Sequence, residues 1–242
     1  VWRVNRLPDV VAAVLLSPLL VAQAVGLRKR ALRLPEAAGP RNGTCGTGTP
    51  LRLLIVGDSS AAGVGAQTQD SALAGQLATA LGAHARVQWH LIAQTGATTP
   101  DTLERLRNAD LPSADLVLIV LGVNDVTRGG PRRGWLRCHA QLRALLRART
   151  GARRLYVSQI PPLGAFPLLP HPLRWLLGRR AQRFDAGLGR DLAAEAGTRY
   201  LGFPDTLDPA DMAEDGFHPG PVIYAAWAKE MARRIHTDGP FD

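Results

Sequence analysis

Apolar positions in this chain change period several times, and those changes divide it into alternating strands and helices. Leu51–Val56 is a run of apolar residues broken only by Arg52, the pattern of a strand buried on both faces. Over residues 71–81, Ala, Leu and Gln recur at helical spacing. Between Arg86 and Ala93, Val87, Trp89 and Leu91 alternate with Gln88 and His90, which predicts a second strand. Thr99-Pro100-Asp101 opens the next helix, with proline in the first turn and threonine as its cap. The continuous apolar run Asp115–Leu121 predicts a third strand, Trp135–Arg149 a helix and Arg154–Gln159 a fourth strand. A long helix over Leu173–Ala196, a short fifth strand over Arg199–Phe203 and a last helix from after His218-Pro219 to Arg234 complete the series. Buried strands alternating with helices predict an α/β protein, a three-layer α/β/α sandwich around a mainly parallel five-stranded sheet.

Two stretches fall outside this alternation. In residues 1–33, Arg3 and Arg6 precede an apolar core from Val10 to Ala22, shorter than the roughly 20 residues of a membrane span. Ala22-Gln23-Ala24 offers a signal-type cleavage site, yet Arg28, Lys29, Arg30 and Arg33 follow at once, a cluster that favours the cytoplasmic side. A cleaved export signal, an uncleaved anchor or interfacial helix over residues 7–27, and a helix packed on the domain are all compatible with this pattern. A membrane-associated or periplasmic protein follows from the first two, a cytoplasmic one from the third. Residues 34–50, rich in Gly and Pro, read as a linker or a surface wrap. The catalytic domain is expected over residues 51–242.

Composition narrows the class. At 46% apolar and 20% charged residues, the 242-residue chain has a globular core. Its formal net charge of +9 comes almost entirely from arginine. The arginines are scattered, aromatics are few and no nucleic-acid motif is present, which argues against a nucleic-acid partner. Cys45 and Cys138 lack metal-type spacing and read as free thiols or as one disulfide.

The candidate chemistry lies just past the predicted strands, where open α/β sheets bind ligands. The first strand runs into Gly57-Asp58-Ser59, and Ser59 reads as a nucleophile, although Gly, Asp and Ser also make ordinary turns. No Walker A lysine follows, no G-x-G-x-x-G starts at Gly63, and position 61 is Ala where a G-x-S-x-G elbow needs glycine. Gln94-Thr95-Gly96-Ala97-Thr98 follows the second strand and Gly122-Val123-Asn124-Asp125 the third. Asp215-Gly216-Phe217-His218-Pro219 precedes the last helix. Together these blocks hold a nucleophile, a base, an acid and oxyanion donors, the set that acyl transfer requires.

In these four blocks the chain resembles the SGNH hydrolases, also called the GDSL esterase/lipase family, whose name spells the residues matched here by Ser59, Gly96, Asn124 and His218. The resemblance runs from Leu51 to Arg234; the leucine that usually follows Gly-Asp-Ser is replaced by Ser60. It implies a flavodoxin-like sandwich and a serine esterase without metal or cofactor. Ser59 would attack, His218 would act as base and Asp215 would orient it. The backbone N–H groups of Ser59 and Gly96 and the amide of Asn124 would form the oxyanion hole. Asp58 and Asp125 are expected to order loops, and His84, His90, His139, His171 and His236 to be structural. The apolar stretch Ile160–Pro170 reads either as a packed loop or as an acyl-binding wall. The expected substrates are short- to medium-chain carboxylic esters. A lysophospholipase or acyl-CoA thioesterase on the same site, and a non-catalytic lipid-binding module, are the alternatives.

Overall fold

The computed structural model describes residues 11, 14–204 and 208–239. One six-stranded sheet carries the fold: β1 (Asn42–Cys45), β2 (Pro50–Gly57), β3 (Arg86–Ala93), β4 (Leu116–Val120), β5 (Arg154–Ser158) and β6 (Thr198–Leu201). The strand order is β1-β3-β2-β4-β5-β6, with β1 antiparallel to β3 and all other pairs parallel. The helices are α1 (Ser17–Arg30), α2 (Leu73–Gly82), α3 (Thr99–Asn108), α4 (Val123–Thr127), α5 (Arg132–Thr150), α6 (Leu173–Ala193) and α7 (Pro221–Thr237).

The apolar runs of β2 and β4 are buried on both faces because helices cover both. Leu51, Leu53 and Ile55 point into a core with Leu77 of α2 and Trp227 of α7. Leu54 and Val56 point into the opposite core, with Leu106 of α3, Leu142 of α5 and Phe184 of α6. From β2 the chain crosses to β3 on one side and then returns to β4 on the other. The carboxyl end of β2 is therefore a topological switch point, where the connections diverge and leave a crevice.

Two features depart from the expectations above. The sheet has six strands, not five, and begins at Asn42 within the stretch expected to be a linker or wrap. The extra strand is polar and short, and it forms because β3 has an open edge. Gly43 is seated against the Trp89 indole, where an added Cβ would lie 2.9 Å from Nε1. The cap of α3 is Thr98, not Thr99: the Thr98 hydroxyl accepts the Asp101 N–H at 3.3 Å, and the Asp101 carboxylate accepts the Thr98 N–H at 3.0 Å. Cys45 and Cys138 are free thiols, each partly buried against the core on opposite faces of the sheet.

The N-terminal expectation falls partly on residues 1–10, 12 and 13, which lie outside the described residues. Among the described residues no helix is long and apolar enough to cross a membrane. His139 is fully buried, with Nδ1 2.8 Å from Arg143, and burial beside that cation pushes its pKa down to about 3. It is a neutral core histidine.

Candidate active site

Ser59 owes its position to a tight passage out of β2. A Cβ at Gly57 would stand 2.4 Å from that of Ala61 and 2.6 Å from the Val120 carbonyl oxygen, so glycine alone lets the strand end against β4. The Asp58 N–H then donates to Val120 O at 3.1 Å. The chain turns sharply, with the Ala62 N–H on Asp58 O at 2.9 Å and the Val64 N–H on Ser59 O at 3.0 Å. This turn holds Ser59 at the sheet edge, nearly buried at 8% exposure.

The loop before α7 brings up the partner groups. Asp215 Oδ1 accepts the backbone N–H groups of Phe217 and His218, both at 2.9 Å, which folds the block into a compact turn. Asp215 Oδ2 lies 2.6 Å from His218 Nδ1, and His218 Nε2 lies 2.9 Å from Ser59 Oγ. Burial raises the Asp215 pKa, but the bonds from the His218 ring and the two backbone N–H groups outweigh it and hold the carboxyl below its ordinary value. With Asp215 charged, the network assigns the ring proton to Nδ1 and leaves Nε2 as the acceptor facing the Ser59 hydroxyl.

Gly96 and Asn124 complete the edge. Gly96 has a left-handed backbone (φ +79°), and its carbonyl accepts from Arg128 Nη2 at 2.6 Å. Among the described residues, the N–H groups of Ser59 and Gly96 donate to no protein acceptor. Asn124, in the first turn of α4, directs Nδ2 to Ala97 O at 3.0 Å and to Asp58 Oδ2 at 3.3 Å. The two other carboxylates of the region make no hydrogen bond to His218. Asp58 accepts the Ser60 N–H at 3.1 Å. Asp125 accepts the Thr99 N–H at 3.1 Å and its hydroxyl at 2.9 Å, while the Trp135 indole donates to that hydroxyl at 3.0 Å. All five expected site residues thus meet at one edge.

Apart from Phe166, which lies in the stretch 160–170, the apolar lining of this edge was not among the expected features. Phe166, Phe203, Phe217 and Met212 surround Ser59 and His218 and reduce the cleft between them to about 10 Å³. The Phe217 ring stands edge-on to Phe166 and to His218, each at 5.3 Å between centroids. Its place inside the Asp215–His218 block was the one available signal. Of the apolar stretch 160–170, Ile160, Leu163, Phe166 and Leu169 are buried against the core, while Pro161 and Phe166 also border the cleft at Ser59.

Asp58 carries an electrostatic consequence. Burial, helped by the nearby Asp125 carboxyl, pushes its pKa up to about 7 from an ordinary value of 3.8, against the Ser60 N–H bond and the proximity of His218, which lower it. The folded protein therefore binds this proton more tightly than the unfolded chain. Ionised Asp58 destabilises the fold fully above pH 7, and the loss disappears as pH falls to 3.8. A shift of this size corresponds to at most about 4 kcal/mol. Asp58→Asn is accordingly expected to melt higher than the parent at pH 8 and to converge with it near pH 4, as read by calorimetry. A variant that melts lower at both pH values would contradict this.

Comparison with known proteins bears on the same residues. A model of the GDSL-like lipase/acylhydrolase family matches residues 55–226, a span that includes all five. Curated proteins offer no sequence match. Among solved structures, TesA superimposes with a TM-score of 0.60 at 22% identity, covering 77% of this chain and 98% of its own. A psychrotrophic esterase EstA from Pseudoalteromonas sp., in a form inhibited by monoethylphosphonate, gives 0.57 at 21% identity over 77% of this chain and 97% of its own. Est24, a carbohydrate acetylesterase from Sinorhizobium meliloti, gives 0.60 at 19% identity over 78% and 100%. At these identities the likeness is one of fold.

Proposed function

The chain belongs to the GDSL-like lipase/acylhydrolase family, and on that premise we propose that it is a serine esterase working through an acyl-enzyme, with Ser59, His218 and Asp215 as its catalytic residues. The observation that carries this reading is the continuous relay from Asp215 through the His218 ring to Ser59 Oγ, at 2.6 and 2.9 Å.

The Ser59 oxygen attacks the ester carbonyl carbon while His218 Nε2 takes the hydroxyl proton. The imidazolium so formed is stabilised by the buried Asp215 carboxylate. It then protonates the departing alcohol as the C–O bond breaks, leaving Ser59 acylated. Water, deprotonated by the same nitrogen, releases the acid and restores the serine. The free N–H groups of Ser59 and Gly96 are suited to the carbonyl oxygen as it gains charge. Asn124 joins them by exchanging its longer bond, to Asp58, for one to the oxyanion. The acyl groups proposed are short to medium in length, with Phe166, Phe203 and Phe217 as the apolar surface beside Ser59. Mixing enzyme with 4-nitrophenyl acetate should give a rapid release of nitrophenolate followed by steady turnover. A lipid-binding module would release none.

Asn124→Ala is expected to lower kcat by about 10²–10³-fold with little change in KM, the usual cost of one oxyanion donor. Steady-state kinetics beside a melting curve checks this. Near-normal kcat with a lowered melting temperature would leave Asn124 a loop-ordering residue.

A further inference from the structure

The apolar helix that precedes the family-matched region borders the site. Gln23 ties α1 to the domain with two hydrogen bonds: its Nε2 donates to His171 O at 2.6 Å, and its Oε1 accepts the Leu173 N–H at 3.2 Å. Leu20 is buried, and Leu27 packs on the core between the sheet and α6. Docked in this way, the helix does not close onto its neighbours. It leaves a groove of about 560 Å³ between Val21, Ala24 and Val25 on its own side and Leu169, Leu173 and Phe217 opposite. That volume lies within the range of small-molecule pockets.

The groove adjoins the site. Asn124 borders it, and Phe217 lines both the groove and the cleft at Ser59. The cleft itself, at about 10 Å³, leaves no room for a long chain. An ester whose carbonyl sits at Ser59 and whose acyl group outgrows the cleft has this apolar trough beside it. We propose that the groove binds the acyl chain of the substrate, with α1 as its outer wall, so that the enzyme acts on long-chain acyl esters as well as short ones. This rests on the esterase reading above. The α1 wall runs from Val21 to Ala31, about 15 Å at 1.5 Å per helical residue, and sets the scale of the chain it covers. Lys and Arg at the end of α1, beginning with Arg28 on the groove itself, keep that end in water while the apolar stretch faces the chain.

The test compares kcat/KM for 4-nitrophenyl decanoate and acetate, with substrate monomeric, in the full chain and in Ala24→Trp and Ala24→Asp. Each methylene removed from water is worth about fourfold, so the decanoate-to-acetate ratio should exceed ten in the parent. Filling the groove with an indole, or placing a carboxylate in it, should lower that ratio at least tenfold. Because Ala24 is exposed, neither variant disturbs the core, and acetate turnover reports folded enzyme in each. A ratio unchanged in both variants, or a parent that prefers acetate, would overturn the groove while leaving the esterase reading intact. A parent inert to both esters would overturn that reading and the groove with it.

Discussion

Ser59→Ala is expected to lower kcat for ester hydrolysis by on the order of 10⁶-fold, the loss seen when a nucleophile that works as a unit with its base is removed. The fold should survive. Ser59 is 8% exposed, its hydroxyl hydrogen-bonds, among the described residues, only with His218, and alanine keeps the backbone turn between Asp58 and Val64. His218→Ala should be equally damaging, because the hydroxyl is a poor nucleophile without a proton acceptor 2.9 Å away. The double variant should be no worse than either single one, since each already breaks the same relay. Activity of the double variant far below both singles would mean that the two residues act separately.

The second large effect concerns the choice of acid. Asp215→Asn should lower kcat by about 10⁴-fold while leaving the protein folded. The Asn oxygen can still accept the Phe217 and His218 N–H groups, so the turn persists, but its amide nitrogen would donate to His218 Nδ1 and move the ring proton to Nε2. The base would then present a proton to Ser59 in place of a lone pair. Asp125→Asn should be mild by comparison, because Asp125 bonds Thr99 and does not contact the imidazole. Asp125 is also pushed up to about 6 by burial, whereas Asp215 is held below its ordinary value and stays charged at working pH. Side-by-side kcat values settle it; a larger loss at Asp125 than at Asp215 would reassign the acid.

Residue pattern alone located most of the scaffold, for a physical reason. β2 and β4 are largely buried on both faces, so they appear as near-continuous apolar runs, and β3 alternates from Val87 to Leu91 because one of its faces is buried and the other partly exposed. β1 left no such trace. Asn42, Gly43, Thr44 and Cys45 become a strand through pairing with β3, and only the neighbour explains why glycine sits opposite Trp89. The candidate site was legible at the level of backbone blocks, since Gly57 and Asp215 act through local geometry that their own neighbours encode. Of its walls only Phe166, within the apolar stretch 160–170, and Phe217, within the Asp215–His218 block, left a trace. Phe203 and Met212 come from two other segments and reach Ser59 only through tertiary packing. The role of Gln23 depends likewise on where α6 begins, some 150 residues later in the chain.

The central claim is that Ser59 is a nucleophile activated by His218 and Asp215. It is tested most directly by treating the full chain with a fluorophosphonate and mapping the adduct by mass spectrometry. One phosphonyl group per chain is expected, on Ser59, with rates that collapse in His218→Ala and Asp215→Asn and with no adduct in Ser59→Ala. Labelling of another serine, or an unmodified Ser59 in protein that still hydrolyses esters, would contradict the account.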